Sequence, residues 1–372
     1  MLGQEIKNVI LITISTFIFS ACLMPLMKKI ANHINAIDVP RKDEGNRHIH
    51  TRSVPKLGGV GIFLSFLFGY MLFGVHSIQM NAVLIGSFII VLTGIIDDIK
   101  PLKASHKLIG QLASASVIAF YGKILLNDIT AFGFAFDFGV WAYPLTIFFV
   151  IACVNIINLI DGLDGLSGGI SSIFYLTIGI ISFVQGRYNT LEMTLAFIML
   201  GSTLGFLLHN FYPAKIFAGD CSMFMGFIIA VIALLGFKGT TLTSFLVPII
   251  ILGIPILDTF FAIIRRTLKG QPPFQADKQH LHHQLLGMNF SQRTTVLIIY
   301  GINILFALAS IFYLLKDPIM GKILYILLFL IVLWFVFATS IISEKNPETI
   351  KKIDKMVKEK VKTKQNKKKN SK

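Results

Sequence analysis

The stretch NVILITISTFIFSACLMPLM, residues 8–27, runs for 20 positions without a charged side chain. A bilayer core about 30 Å thick is crossed by about 20 apolar residues in a helix, because with no water present every backbone N–H and C=O must be satisfied internally. Residues 8–27 therefore predict a transmembrane helix. A signal peptide fits less well: the apolar run is too long, no small-x-small cleavage site follows, and the run ends in Lys28 and Lys29.

Outward from this stretch the same pattern recurs. Hydrophobic residues make up 54% of the chain and charged residues 14%, with a mean hydropathy of +0.74, far more apolar than a water-soluble domain. Length and apolarity predict an all-α polytopic membrane protein of eleven spans, at about 8–27, 58–75, 82–96, 108–126, 141–160, 169–184, 193–211, 223–237, 242–264, 294–315 and 322–342. The ninth span carries Pro248 and Pro255 and is expected to be broken. Of the 34 lysines and arginines, 28 fall on the side of the loops after spans 1, 3, 5, 7 and 9 and of the tail, and 6 on the other. The loaded side is expected to be cytoplasmic, with the N-terminus outside and the C-terminus inside. That asymmetry accounts for most of the net charge of +15 without nucleic acid. Cys22, Cys153 and Cys221 sit in or beside different spans and suggest neither a disulfide framework nor a thiolate metal site. No repeat of 20 to 50 residues is evident, which argues against a solenoid or an inverted-repeat transporter. Residues 343–372 read as a basic tail, lying on anionic lipid through Ile350, Ile353, Val357 and Val361 and then partly disordered.

The chemistry-bearing residues gather in the loops of the loaded side. Gly58, Gly59 and Gly61 open the second span and allow close approach of a substrate or a helix. Asp97 and Asp98 end the third span, where adjacent carboxylates need a cation, a basic ligand or solvent. Asn155, Asn158 and Asp161 share a helical face at the end of span 5, ahead of the glycine-rich DGLDGLSGG, and suit an oxygen-liganded cation or a nucleotide's edge; a polar clasp between helices is the structural alternative. Asp220 starts span 8 and alone would read as a helix cap. Residues 265–283, RRTLKGQPPFQADKQHLHH, form a loop suited to anions; a structural zinc site is the other reading of its histidines. Between spans 4 and 5, Asn127, Asp128 and Asp137 alternate with phenylalanines and read as a hairpin or amphipathic piece on the far side.

These motifs together resemble the polyprenyl-phosphate N-acetylhexosamine-1-phosphate transferases, which include the bacterial initiators of teichoic acid and O-antigen synthesis and, more distantly, the phospho-MurNAc-pentapeptide translocase. The resemblance rests on Arg47 and His50 through Pro55, Gly58 and Gly59; on Asp97 and Asp98; on Asn155, Asn158, Asp161 and Asp164; on PAKIFAGD, residues 213–220; and on Pro255 and Asp258 through His280, His282 and His283. It implies an integral membrane catalytic domain over residues 1–342 of the bacterial cytoplasmic membrane, with its active site on the cytoplasmic face. The implied reaction takes N-acetylglucosamine 1-phosphate, or another N-acetylhexosamine phosphate, from a UDP-sugar to undecaprenyl phosphate and releases UMP.

The resemblance also implies the roles of residues. Asp97, Asp98, Asp161, His280, His282 and His283 are expected in the catalytic set, and Lys107, Asn155, Asp164, Phe217, Arg265, Arg266 and Lys278 in substrate binding. Asp220 and Asn158 would hold Mg2+, with Mn2+ as a substitute. A homodimer is left open, and a transporter of lipid-linked sugars and a non-catalytic scaffold are the competing classes. One departure stands out: where the family commonly has glycine then serine after the variable residue following Gly-Asp, Cys221 is followed directly by Ser222, which allows a one-residue shift of span 8 at the expense of Asp220. Ala218 replaces a usual methionine and Ser53 a usual proline.

Overall fold

Helices that reverse direction at short turns make up most of the chain. The computed structural model describes residues 2–38, 53–131, 134–236 and 290–315, with positions 253, 256, 285, 286, 288, 319–321, 323–328 and 330. In order come α1 (Leu2–His33), β1 (Ile37–Asp38), β2 (Val54–Pro55), α2 (Gly58–Phe73), α3 (Ile78–Ile99), α4 (Ala104–Ser116), β3 (Asp128–Ala131), β4 (Phe134–Asp137), α5 (Ala142–Ile160), α6 (Leu166–Val184), α7 (Leu191–Asn210), α8 (Met223–Gly236) and α9 (Gln292–Leu315).

Among the described residues, seven helical stretches are long and apolar enough to cross a membrane: Leu2–His33, Ile78–Ile99, Gly139–Ile160, Leu166–Val184, Leu191–Asn210, Gly219–Gly236 and Gln292–Leu314. The expected second span is the shorter apolar helix α2, and the expected fourth is α4 continued by a π-helical turn, Val117–Tyr121. Pro248, Pro255 and Asp258 of the ninth expected span lie outside the described residues, as does the tail. The described residues are mostly helical, as the all-α expectation has it. Two antiparallel ribbons are present, β1–β2 and β3–β4, the latter pairing Asp128 with Asp137 where the sequence suggested a hairpin.

Burial distinguishes the core helix from those at the rim. Nearly every residue of α8, from Met223 to Leu234, is buried, as a helix apolar all round should be. By contrast, α1 leaves Ile6, Ile10, Leu11, Ile14 and Ile18 exposed, a face suited to lipid. Lipid is as apolar as leucine, so close packing and interhelical hydrogen bonds must hold such helices together. Ser20 Oγ donates to Ser202 O at 2.7 Å, Ser65 Oγ to Thr16 O at 2.9 Å, and Ser202 Oγ to Ser65 Oγ at 3.0 Å, tying α1, α2 and α7. Tyr175 on α6 donates to Met225 O on α8 at 2.8 Å, and Ser114 on α4 to Gly86 O on α3 at 3.0 Å.

Alternation of direction brings the ends of α1, α3, α5 and α7 to the same end of the bundle as the starts of α2, α4, α6 and α8. At the opposite end Arg187 Nη1 donates to Gly236 O at 2.6 Å and caps α8. A β-carbon on Gly201 of α7 would lie 2.0 Å from Thr16 Oγ1 and 2.3 Å from Thr13 O. Gly201→Val should therefore push α1 from α7 and cost about 3 kcal/mol, the upper end for overpacking; thermal unfolding in detergent measures it, and an unchanged midpoint would contradict this packing.

Candidate active site

Two consecutive acids end α3, and both are tied to the turn that begins α8. Asp97 Oδ1 accepts from Leu102 N–H at 2.6 Å, which folds the α3–α4 connection back over the helix end. Its other oxygen pairs with the ammonium of Lys107, and Lys107 Nζ also meets Asp220 Oδ1 at 2.8 Å. Asp98 Oδ1 accepts from the Asp220 backbone N–H at 3.1 Å. Neighbouring helical side chains diverge by about 100°, yet both acids reach the same turn, one through an ammonium and one through a peptide N–H. Asp98 Oδ2 is buried without a hydrogen-bond partner among the described residues. Lys56 Nζ lies 3.9 Å from Asp98 Oδ1 and 3.7 Å from Asp38 Oδ1.

The end of α5 supplies the amides. Asn158 Nδ2 donates to Ser222 Oγ at 3.0 Å and approaches Asp220 Oδ1 at 3.3 Å. Asn155, one turn earlier, exchanges two hydrogen bonds with Gln111 of α4, at 2.8 and 3.2 Å, and donates to Ile151 O at 2.8 Å. Asp161 terminates α5 and accepts from Ser167 Oγ. The face predicted from spacing thus divides its contacts, with Asn158 meeting Asp220, Asn155 meeting α4 and Asp161 meeting the start of α6. Asp161 is half-buried and surrounded by protein, and burial pushes its carboxyl up to about 8, against the hydrogen bond from Ser167 that favours the charged form.

A second loop locks onto the first. Asp164 Oδ2 accepts from Ala214 N–H at 2.8 Å, Gly165 N–H donates to Asn210 Oδ1 at 3.0 Å, and Asn210 Nδ2 donates to Ile216 O at 2.9 Å. From α9, the Tyr300 hydroxyl donates to Gly165 O. Phe217 is held by its backbone, its N–H donating to Pro55 O and its carbonyl accepting from Gly58 N–H, both at 2.8 Å.

Close backbone approach sets the Asp220 turn, Gly219–Ser222. Gly219 has φ +69°, and a β-carbon there would sit 2.4 Å from Asp98 Oδ2. On Gly94 it would lie 2.8 Å from Cys221 N, and on Gly59, 2.5 Å from Cys221 Cβ. The close approach allowed by Gly58 and Gly59 is therefore used by protein, and Cys221 is fully buried between α2 and α3. With Ser222 directly after Cys221, Asp220 still meets Lys107 and Asn158.

Of the residues expected from sequence, Asp97, Asp98, Lys107, Asn158 and Asp220 come together, Asn155 stands one turn behind them, and Asp161, Asp164 and Phe217 lie in the flanking loops. Arg265, Arg266, Lys278, His280, His282 and His283 lie outside the described residues. Sequence reasoning missed Lys56, Gln111, Asn210, Ser222 and Tyr300. Gln111 follows Lys107 by one helical turn and Lys56 precedes the glycine pair, signals that spacing could have carried; Tyr300 has no local signal.

Residues 80–237, which hold the aspartate pair, the α5 amides and the Asp220 turn, match the family described as glycosyl transferase family 4. The chain is 38% identical, over 93% of its length and 96% of the relative's, to a probable undecaprenyl-phosphate N-acetylglucosaminyl 1-phosphate transferase of Bacillus subtilis. It is 32% identical to a decaprenyl-phosphate N-acetylglucosaminephosphotransferase of Mycobacterium leprae, over 84% of this chain and 86% of that protein. It is 27% identical to the undecaprenyl-phosphate alpha-N-acetylglucosaminyl 1-phosphate transferase of Escherichia coli, over 77% and 78%.

Two measurements check this geometry. Gly219→Ala places a β-carbon on a left-handed residue and against Asp98, so it should lower stability by about 1–3 kcal/mol in thermal unfolding; a neutral effect would contradict the turn. Asp161 has a native pKa of about 8 against 3.8 for a free side chain, so between those values the folded protein holds a proton that the unfolded chain releases. Stability should then fall as pH rises through that interval. In chelator, the unfolding midpoint of the parent protein should decline from about pH 6 to 8 more steeply than that of Asp161→Asn, and equal slopes would refute the assignment.

Proposed function

The chain belongs to glycosyl transferase family 4, and from that premise we propose that it transfers N-acetylglucosamine 1-phosphate from UDP-N-acetylglucosamine to undecaprenyl phosphate. A terminal oxygen of the lipid phosphate attacks the phosphorus that carries the sugar, the bond from that phosphorus to UMP breaks, and N-acetylglucosaminyl-pyrophosphoryl-undecaprenol forms. The observation that carries the reading is the convergence of Asp97, Asp98, Lys107, Asn158 and Asp220 at the helix ends of a chain so extensively similar to relatives with this named activity. As the first membrane step of an envelope glycopolymer, the reaction would serve teichoic acid or O-antigen synthesis.

Phosphoryl transfer depends chiefly on positioning and on neutralising charge. Lys107, held between Asp97 and Asp220, would offset the negative charge that passes from the lipid phosphate to the departing UMP without leaving its place. Asp97 and Asp98 would orient the lipid phosphate indirectly, by fixing the lysines that face it, and that phosphate arrives ionised and needs no strong base. Asp164 and Phe217 contact the uracil, Asn155 and Asp161 support the donor's side, and Arg265, Arg266, Lys278, His280, His282 and His283 hold its diphosphate and sugar.

Mg2+, replaceable by Mn2+, is the cofactor we assign, held by Asp220 and Asn158. Among the described residues no group of three or more His, Cys, Asp or Glu forms a metal cage. Such an ion would be held by one or two protein oxygens and would take substrate phosphates and water as its other ligands, and the Asp98 oxygen that lacks a hydrogen-bond partner among the described residues adds an acceptor in the same place. When bound, the ion would neutralise diphosphate charge and favour departure of UMP. We further assign eleven spans with a broken ninth, the N-terminus outside, the C-terminus inside, a catalytic unit over residues 1–342, and a site on the cytoplasmic face of the cytoplasmic membrane; the distribution of lysine and arginine supports this orientation.

Purified protein should release UMP and form lipid-linked sugar pyrophosphate from UDP-N-acetylglucosamine, undecaprenyl phosphate and Mg2+. Asp97→Asn and Asp220→Asn should each lower kcat by about 10²–10³-fold, the scale seen when a transition-state electrostatic contact is removed. Turnover with a different UDP-N-acetylhexosamine alone would reassign the sugar. Counterflow of lipid-linked sugar without chemical conversion would replace the enzyme with a transporter.

A further inference from the structure

Among the described residues, Lys56 combines a fixed backbone with a side chain whose acidic partners stand only at long range. Its N–H donates to Ala36 O at 2.8 Å, and on the other edge Pro55 O accepts from Phe217 N–H at 2.8 Å while Gly58 N–H donates to Phe217 O at 2.8 Å. The segment from Val54 to Gly59 is thus held between β1 and the strand-like run before Asp220, with Lys56 bridged to Phe217 itself. The side chain leaves this frame 26% exposed, its ammonium 3.7 Å from Asp38 and 3.9 Å from Asp98. Both separations exceed hydrogen-bond length. Lys107, by contrast, meets Asp220 at 2.8 Å.

A cation shared between two acids at long range, beside solvent and a fully buried carboxylate, gains by turning to a better-placed anion. Asp98 does not tie it down, because its nearer oxygen, which accepts from Asp220 N–H, stands 3.9 Å from the ammonium, beyond hydrogen-bond length. We propose that Lys56 is a binding residue for a substrate phosphate, releasing Asp38 and Asp98 as the phosphate arrives; this rests on the reaction proposed above. Both substrates of that reaction carry phosphate, and the donor and the lipid are separated by which KM responds. Lys107 serves the acids on the α4 side, while Lys56 serves the side formed by the β1–β2 ribbon and Phe217.

The test compares Lys56→Met and Lys56→Arg in the full-length protein, measuring kcat, KM for UDP-N-acetylglucosamine, KM for undecaprenyl phosphate, and thermal unfolding. Lys56→Met should raise one KM by about tenfold, the scale of one charge-assisted hydrogen bond, with kcat changed less than about threefold, and Lys56→Arg should restore it. A rise in the nucleotide-sugar KM assigns the contact to the donor; a rise in the lipid KM assigns it to the acceptor. Both KM values unchanged would overturn the proposal, as would a loss of stability in Lys56→Met that Lys56→Arg does not repair, since Lys56 would then be a structural ion pair. Turnover by the parent protein separates failure of this inference from failure of the reaction: an inactive parent removes both.

Discussion

The ammonium of Lys107, shared by Asp97 and Asp220, is the interaction on which the site end of the bundle depends. It joins the end of α3, the start of α4 and the turn into α8, segments that come together only because the chain reverses direction at each connection. Buried like charges repel strongly, and removing one member of a buried pair leaves an uncompensated ion. Asp97, Asp98 and Asp220 gather here, and the ammonium groups of Lys107 and Lys56 are the cations that meet them among the described residues, while Asp161 nearby keeps its proton. Three carboxyl groups therefore share two ammonium groups before any ligand binds.

That electrostatic centre requires close backbone contact, which small residues provide. Gly94 lets α3 pass against Cys221, Gly59 lets α2 reach it from another side, and Gly219 turns under Asp98 with no β-carbon in the way. The carboxylates are thus positioned by helix packing more than by their own hydrogen bonds. The serine contacts among α1, α2 and α7 and the buried run of α8 act farther along the same helices, where lipid offers no hydrophobic drive to hold them. Stability deep in the bundle and geometry at its end are properties of the same helices.

What the sequence revealed follows from which physical signals are local. Apolar length located α1, α3 and α5 through α9, and alternation of aspartate with phenylalanine located the β3–β4 hairpin. The Asp97–Asp98 pair was legible because adjacent acids at the end of an apolar helix are costly and so conspicuous, whereas Asp220, which alone reads as a helix cap, stood out only through the family resemblance. Periodicity gave Asn155, Asn158 and Asp161 one face but could not say which helix each would meet. Asn155 spends its amide on Gln111, and Asp161 turns to Ser167. The anchoring of Gly165 by Tyr300 joins residues 135 positions apart, and the bridge from Lys56 to Phe217 joins two loops that neither sequence segment predicts alone. Such pairings are set by packing, and a single sequence carries little trace of them.

The position of these charges at helix ends, rather than within the spans, follows from the same energetics. A carboxylate near the middle of a bilayer must be paired permanently or lie in water, whereas one at the boundary can exchange partners as ligands come and go. The phosphoryl transfer proposed for this chain, between a water-soluble nucleotide and a lipid, needs such exchange, because anionic charge enters, moves and leaves during each turnover. Lys107 is held at hydrogen-bond distance and Lys56 is not, so the two lysines differ in how readily they change partners. The tighter one keeps the acids assembled between turnovers, and the looser one is free to follow the phosphate.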